Sequence, residues 1–280
     1  MQTFDLEAQG LRALNAALHA QAETLSQANW EVVNAKGSHA IAVGLDAPIE
    51  VTVKGSTGYY CAGMNSQATV HVHGSAGPGV AENMMSGTVI VEGDASQYAG
   101  ATGHGGLLVI KGNASSRCGI SMKGIDIVVH GNIGHMSAFM AQSGNLVVLG
   151  DAGDALGDSL YEARLFVRGS VKSLGADCIE KEMRPEHLEI LADLLERAGA
   201  DAKPEEFKRY GSARTLYNFN IDNARLYFNG QGHKYLKFEF NTDIDNAQGF
   251  QDPTFPIAGS YDEAGNMRIL DAIAKFEVHD

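Results

Sequence analysis

Hydrophobic and polar positions alternate in seven short segments of this chain, and each segment closes on glycine: EVTVKG, TVHVHG, TVIVEG, LLVIKG, DIVVHG, NLVVLG and RLFVRG. The closing residues are Gly55, Gly74, Gly93, Gly112, Gly131, Gly150 and Gly169, and every interval is 19 residues. Two residues before each glycine stand Val53, Val72, Val91, Ile110, Val129, Val148 and Val167. Four residues before it stand Val51, Val70, Val89, Leu108, Ile127, Leu146 and Leu165. Between these aliphatic columns lie mixed residues, the period-two pattern of a strand with one buried face. Seven residues after the glycine only small side chains occur: Ala62, Ala81, Gly100, Gly119, Ala138 and Gly157. Small residues suit a tight turn or a close approach to a neighbouring coil.

A strand, a turn and a return, repeated at one interval, make a solenoid whose strands stack in parallel at about 4.8 Å. The pattern predicts an all-β core, a right-handed parallel β-helix of about seven coils. Left-handed hexapeptide helices are excluded because 19 is not a multiple of six. Calcium-binding nonapeptide helices need an Asp column and leucine-rich repeats a Leu/Asn frame, and neither is present.

Flanking signals predict caps for the open ends. Residues 5–28 are expected to form a helix, with Leu6, Leu11, Leu14 and Leu18 near helical spacing, and Trp30 leads into irregular strands. Pro185 opens a second helix with Leu188, Leu191 and Leu195 on one stripe, and Gly199 stops it. Pro204 opens a third through Phe207. The expected organisation is an N-terminal helix and capping segment (1–49), the β-helix (50–175), a helical C-terminal cap (176–229) and an extended, aromatic-rich arm (230–280). Eleven of the 21 aromatic residues fall in the last 64 positions, and residues 230–280 carry nine acidic and four basic groups. Such an arm either folds back on its own chain or reaches a partner, with Phe238, Phe240, Phe250, Phe255 and Tyr261 as candidate interface anchors.

Charge narrows the functional classes. A net charge of −13 without a basic run argues against nucleic acid and against an anionic membrane surface. No apolar stretch approaches the roughly 20 residues of a membrane span, and no signal-peptide pattern opens the chain. Three cysteines suit a reducing compartment, so a cytoplasmic location is expected.

Candidate chemistry is sparse. Cys61 and Cys118 share a column three coils apart, about 14 Å, too far for a disulfide or a shared cluster. They and Cys178 are expected to be free thiols. His71 and His73 point to one side of a strand and could chelate a metal, but no third ligand is evident. His130 shares the column of His73 three coils away. Gly103-His-Gly-Gly resembles a phosphate loop, yet a strand follows where such loops need a helix start. Glu92, Lys111 and Asp126 are expected to be exposed and scattered. No catalytic, cofactor-binding or metal-ligating residue is assigned to this chain.

The repeats resemble the β-helical (GXGXG) domain at the C-terminal end of the glutamate synthase large subunit. More specific are Gly58-Tyr-Tyr-Cys-Ala-Gly-Met, Ala81-Glu-Asn-Met-Met-Ser-Gly and Gly100-Ala-Thr-Gly-His-Gly-Gly. To these add Cys118-Gly-Ile-Ser-Met-Lys-Gly, Gly134-His-Met-Ser-Ala-Phe-Met, Gly150-Asp-Ala-Gly-Asp-Ala-Leu-Gly-Asp and Ser173-Leu-Gly-Ala-Asp-Cys-Ile-Glu-Lys-Glu-Met. Residues 1–228 are similar through these motifs to the stand-alone form of that domain, the B-subunit family of N-methylglutamate synthase (methylamine–glutamate N-methyltransferase). The resemblance implies a non-catalytic scaffold subunit in a hetero-oligomer, between a glutamine amidotransferase-like subunit and a synthase subunit carrying FMN and iron–sulfur clusters. It implies formation of N-methylglutamate from glutamate and methylamine with release of ammonia. The alternatives are a β-helical subunit of a formylmethanofuran dehydrogenase-type complex and an autonomous β-helix enzyme acting on a polymer.

Overall fold

The computed structural model describes residues 1–25 and 28–214, together with the backbone of four strands further on, 224–233, 236–244, 273–274 and 277–278. The chain divides into two compact units, Met1–Arg214 and Thr215–Asp280.

In the first unit the seven predicted strands stack in parallel and in order: β3 (Glu50–Val53), β4 (Thr69–Val72), β5 (Thr88–Val91), β6 (Leu107–Ile110), β7 (Lys123–Val129), β8 (Ser143–Val148) and β9 (Arg164–Val167). The register follows the repeat: Val53 lies beside Val72, Val72 beside Val91 and Val91 beside Ile110. Both aliphatic columns point inward, and all fourteen side chains are at most 1% exposed. A second row of parallel bridges runs through Thr57, Ala76, Ala95, Ala114, Ile133, Ala152 and Val171, two residues after each closing glycine.

The stack begins earlier than the 19-residue interval shows. β1 (Gln2–Asp5) and β2 (Asn29–Val33) add two more parallel strands ahead of β3. Gln2 pairs with Trp30 and Trp30 with Val51, offsets of 28 and 21 residues, so these coils escape a search for 19. The irregular strands expected after Trp30 are in fact one regular strand. The single helix expected over 5–28 is three short pieces, α1 (Leu6–Gln9), α2 (Leu11–His19) and α3 (Gln21–Thr24). Gly10, at φ +84°, breaks the first from the second. Asp5 accepts from the amides of Glu7 and Ala8 and so starts α1. α2 sits on the first coil: Asn15 donates to the Ala40 carbonyl and accepts from the Ala42 amide, while Leu14 and Leu18 enter the core.

After β9 the parallel stack ends on two antiparallel strands. β11 (Lys208–Ser212) pairs with β9, and β10 (Cys178–Lys181) pairs with β11. Between them α4 (Pro185–Arg197) forms where Pro185 and the leucine stripe place it. The third predicted helix is only a single 3-10 turn, Pro204–Glu206.

Two polar and glycine columns explain why the coils stack so evenly. A Cβ on Gly112, Gly131, Gly150 or Gly169 would come within 2.4–2.7 Å of the preceding closing glycine's carbonyl oxygen. Glycine therefore sits on glycine because two backbones touch there. The next residue forms a ladder: the Ser56, Ser75, Asp94, Asn113, Asn132 and Asp151 side-chain oxygens each accept from the amide one coil on, at 2.7–3.2 Å. The small column seven residues after the glycine is left-handed throughout, at φ +53° to +69°. A Cβ on Gly100 would strike Ile127 inside the core.

In the second unit β12 (Ala224–His233) and β13 (Leu236–Ile244) pair antiparallel, and β14 (Ile273–Ala274) and β15 (Glu277–Val278) both pair with β13.

Candidate functional surfaces

The outer face of the β3–β9 sheet is divided by one helix. The column three residues before each closing glycine reads Thr52, His71, Ile90, Val109, Val128, Val147 and Phe166, turning apolar along the stack. α4 covers the apolar end: Leu107, Val109, Val128, Val147, Leu149 and Phe166 pack with Leu191, Leu194, Leu195, Ala198 and Phe207 into a second core. This corrects the expectation that the intervening column faces solvent. Lys111 and Asp126 are half-buried beneath the helix, and of the expected trio Glu92 is exposed. Lys111 donates to the Ala198 carbonyl at 2.5 Å and thereby ties the end of α4 to β6.

Asp126 takes a hydrogen bond from Asn145 at 2.7 Å and lies 3.8 Å from Arg197. Burial raises its pKa above the ordinary carboxylate range, with Asn145 and Arg197 opposing. A carboxyl raised in the folded chain holds its proton more tightly there than in the unfolded chain. It supports folding below its unfolded value of about 4, and that support is lost as pH rises through the folded value. Asp126→Asn keeps an acceptor for Asn145 and removes the titration. Urea midpoints should therefore move in favour of the variant from pH 4 upward; a difference that stays constant with pH would show that Asp126 titrates as it does unfolded.

The uncovered end carries a ladder of carboxylate, ammonium and imidazole side chains. Glu31 lies 3.5 Å from Lys54, Lys54 Nζ 3.3 Å from His73 Nδ1, and His71 Nε2 2.6 Å from Glu92. The two imidazoles meet edge to face at 4.3 Å. Partial burial, then His71 and Lys54, push His73 below its ordinary pKa, while the His71 hydrogen bond lowers Glu92. His73 thus turns a ring nitrogen to an ammonium, and no three His, Cys, Asp or Glu side chains among the described residues are grouped to hold a metal ion.

The remaining candidates resolve into packing. Cys61 and Cys118 are buried, and burial pushes both thiols up to about 12; Cys178 is pushed up to about 11 by the same cause. Protonated thiols are poor nucleophiles and poor ligands. Gly103, Gly105 and Gly106 each lie where a Cβ would strike another coil, at Ile125, the Met85 carbonyl and Met84 respectively. They are turn glycines ahead of β6. Of the candidate anchors, Phe238 and Phe240 lie on β13, in register with Gly230 and Phe228. Phe250, Phe255 and Tyr261 lie outside the described residues.

No protein-family model matches this sequence. Protein GlxC of Rhizobium meliloti (strain 1021) is 75% identical over 228 residues, which is 81% of this chain and the whole of that relative. The chain belongs to the GlxC family. The match leaves about a fifth of this chain outside it. A solved structure shares the fold at 20% identity and a TM-score of 0.51, over 86% of this chain and 90% of the other. It is a chain of the formyltransferase/hydrolase complex (FhcABCD) from Methylorubrum extorquens in complex with methylofuran. Within this GlxC-family chain, no helix among the described residues is long and apolar enough to cross a membrane. Sequence reasoning missed the side-chain ladder after the closing glycines and the helix-covered outer face. The first was visible as a column of Ser, Asp and Asn, and the second as the drift of one column from Thr52 to Phe166.

Proposed function

We propose that this chain is a scaffold subunit of a glutamate synthase-like flavoenzyme complex. It holds an amidotransferase-like subunit and an FMN- and iron–sulfur-bearing synthase subunit in fixed relation, and the cofactors belong to the partners. The observation that carries the reading is the match to GlxC along that relative's whole length, on a chain whose coils form one continuous parallel stack. A stacked solenoid offers a long surface held at fixed spacing, which suits positioning. The motif-level resemblance to the B-subunit family supplies the reaction: glutamate and methylamine join to N-methylglutamate, and ammonia leaves. The fold neighbour supports a subunit role, because it works inside a multi-subunit complex. In this proposal residues 230–280 are one attachment, with Phe238, Phe240, Phe250, Phe255 and Tyr261 as anchors. Aromatic side chains dominate interface energies when they find pockets.

Co-expression with an amidotransferase-like protein and an FMN- and iron–sulfur-binding synthase protein from the same organism tests the reading. Native mass analysis should find all three chains together, with N-methylglutamate formed from glutamate and methylamine. A chain lacking residues 230–280 should lose one partner and keep its melting temperature. Flavin or iron in the isolated chain at stoichiometric amount, or failure of the three to assemble, would overturn the proposal.

A further inference from the structure

Three rows of side chains run along the coil surface that carries the left-handed residues. One row, five residues after each closing glycine, holds Tyr60, Tyr98, Arg117 and Met136. The next, nine after, holds Met64, Asn83, Thr102, Ser121, Met140 and Ser159, and the third, eleven after, includes Met85 and Lys123. Hydrogen bonds run across and along the rows: Asn83 donates to the Tyr60 hydroxyl at 3.2 Å, and Thr102 donates to Asn83 at 2.6 Å. Tyr59 stacks on Tyr60 with ring centroids 5.4 Å apart. Of the eight large apolar side chains exposed among the described residues, four lie here: Tyr59 at 52%, Met64 at 46%, Met85 at 49% and Met140 at 42%.

Folding does not ask for these residues. The backbone of the second row is left-handed at Met64 (φ +56°), Asn83 (+57°), Thr102 (+54°), Ser121 (+52°), Met140 (+53°) and Ser159 (+57°). That region favours glycine and asparagine and penalises long side chains. Asn83 and Ser159 show that small polar residues fit the row, yet two positions hold solvent-facing methionine. The surface is also nearly free of charge. Residues 57–67, 76–86 and 95–105 include one charged side chain, Glu82, in a chain where one residue in five is charged. Exposed Met and Tyr with charge depleted is the composition of an interface core.

We infer that this left-handed face of the coils is the docking surface for another protein subunit, one that presents an uncharged apolar patch bordered by carboxylates. The carboxylates are called for by Arg117, which lies over Tyr98, and Lys123. They edge the Tyr59, Met64 and Met85 area on the coil before Met140 and make no ion pair with the described residues. A second copy is disfavoured as occupant because two chains of net charge −13 repel one another. The inference rests on the scaffold reading above and adds to it the surface that holds a partner.

The test uses the full chain with the amidotransferase-like and the FMN- and iron–sulfur-binding proteins of the co-expression experiment above. A triple variant, Tyr59→Ser, Met64→Asn and Met85→Gln, removes the exposed apolar groups and keeps a residue tolerant of left-handed backbone at position 64. A second variant, Arg117→Glu with Lys123→Glu, reverses the border. The triple variant should bind one partner at least tenfold more weakly at an unchanged melting temperature. The reversed border should weaken the same partner, with the loss shrinking at high salt. Should the triple variant fail to fold, the charge-reversal pair alone decides. Affinities within twofold of wild type for both partners would overturn the docking surface and leave the scaffold reading standing. A wild-type chain that binds neither partner would overturn both. A dimer of the isolated chain that the triple variant disperses would assign the face to a second copy and overturn the inference.

Discussion

Val91→Asp should lower the melting temperature by roughly 8–16 °C, because a cost of about 4 kcal/mol at this chain length corresponds to a shift of that size. Val91 is fully buried in the middle of the inward column, with Val72 on one side and Ile110 on the other. Its neighbours are aliphatic, so a carboxylate there finds neither water nor a donor. The group would have to stay protonated, and even a neutral carboxyl would be buried without partners. The cost also spreads, since each strand of a solenoid is held by the strands on both sides. Thr52→Asp is the control. Thr52 is half-buried on the uncovered end of the outer face, beside His71, and its change should cost about 1 kcal/mol or less. Thermal unfolding of the two variants in parallel is the measurement. Equal melting temperatures would mean that the inward and outward faces have been exchanged.

Gly112→Ala should be nearly as damaging, although it adds a single methyl group. The added Cβ would lie 2.7 Å from the Gly93 carbonyl oxygen and 2.8 Å from its carbonyl carbon. Those are backbone atoms held at the stacking distance, so relief requires prising two coils apart. That would also break the Asp94 side-chain bond to the Asn113 amide, 2.7 Å long and one residue away. A loss of roughly 3 kcal/mol or more is expected, at the upper end of the range for overpacking a rigid site. Gly55 separates this effect from the general cost of losing a glycine. It closes the first repeat and has nothing within 4 Å of a Cβ, but its φ is +105°. Gly55→Ala should therefore show only backbone strain, about 1–3 kcal/mol. Urea unfolding of both variants gives the comparison. A Gly112 variant no worse than the Gly55 variant would show that the coils yield where the contact looks rigid.

The sequence by itself determined the β-helix, its strand register from β3 to β9 and the identity of the inward residues. It could do so because the physical cause is local and repeated. A strand with one buried face must alternate, and a stack with one spacing must repeat. Val72, Val91 and Ile110 therefore announce their own neighbours. The small column before Val70 and Val89 was equally legible, as a place where only Ala or Gly fits. Other features were decided only by the tertiary structure. The first two coils were hidden because their offsets are 28 and 21 residues, from Gln2 to Trp30 and from Trp30 to Val51, and no period-finding argument crosses a change of period. The outer column could not be assigned from alternation, since a strand does not know what covers its second face. α4 decides that for Val109, Val128, Val147 and Phe166, and leaves His71 to solvent contact and Glu92. The left-handed rows were invisible for a different reason. Tyr60, Met64 and Met140 are residues that disfavour positive φ, so their backbone is imposed by hydrogen bonds to the coils on either side, and only the stacked chain supplies those partners.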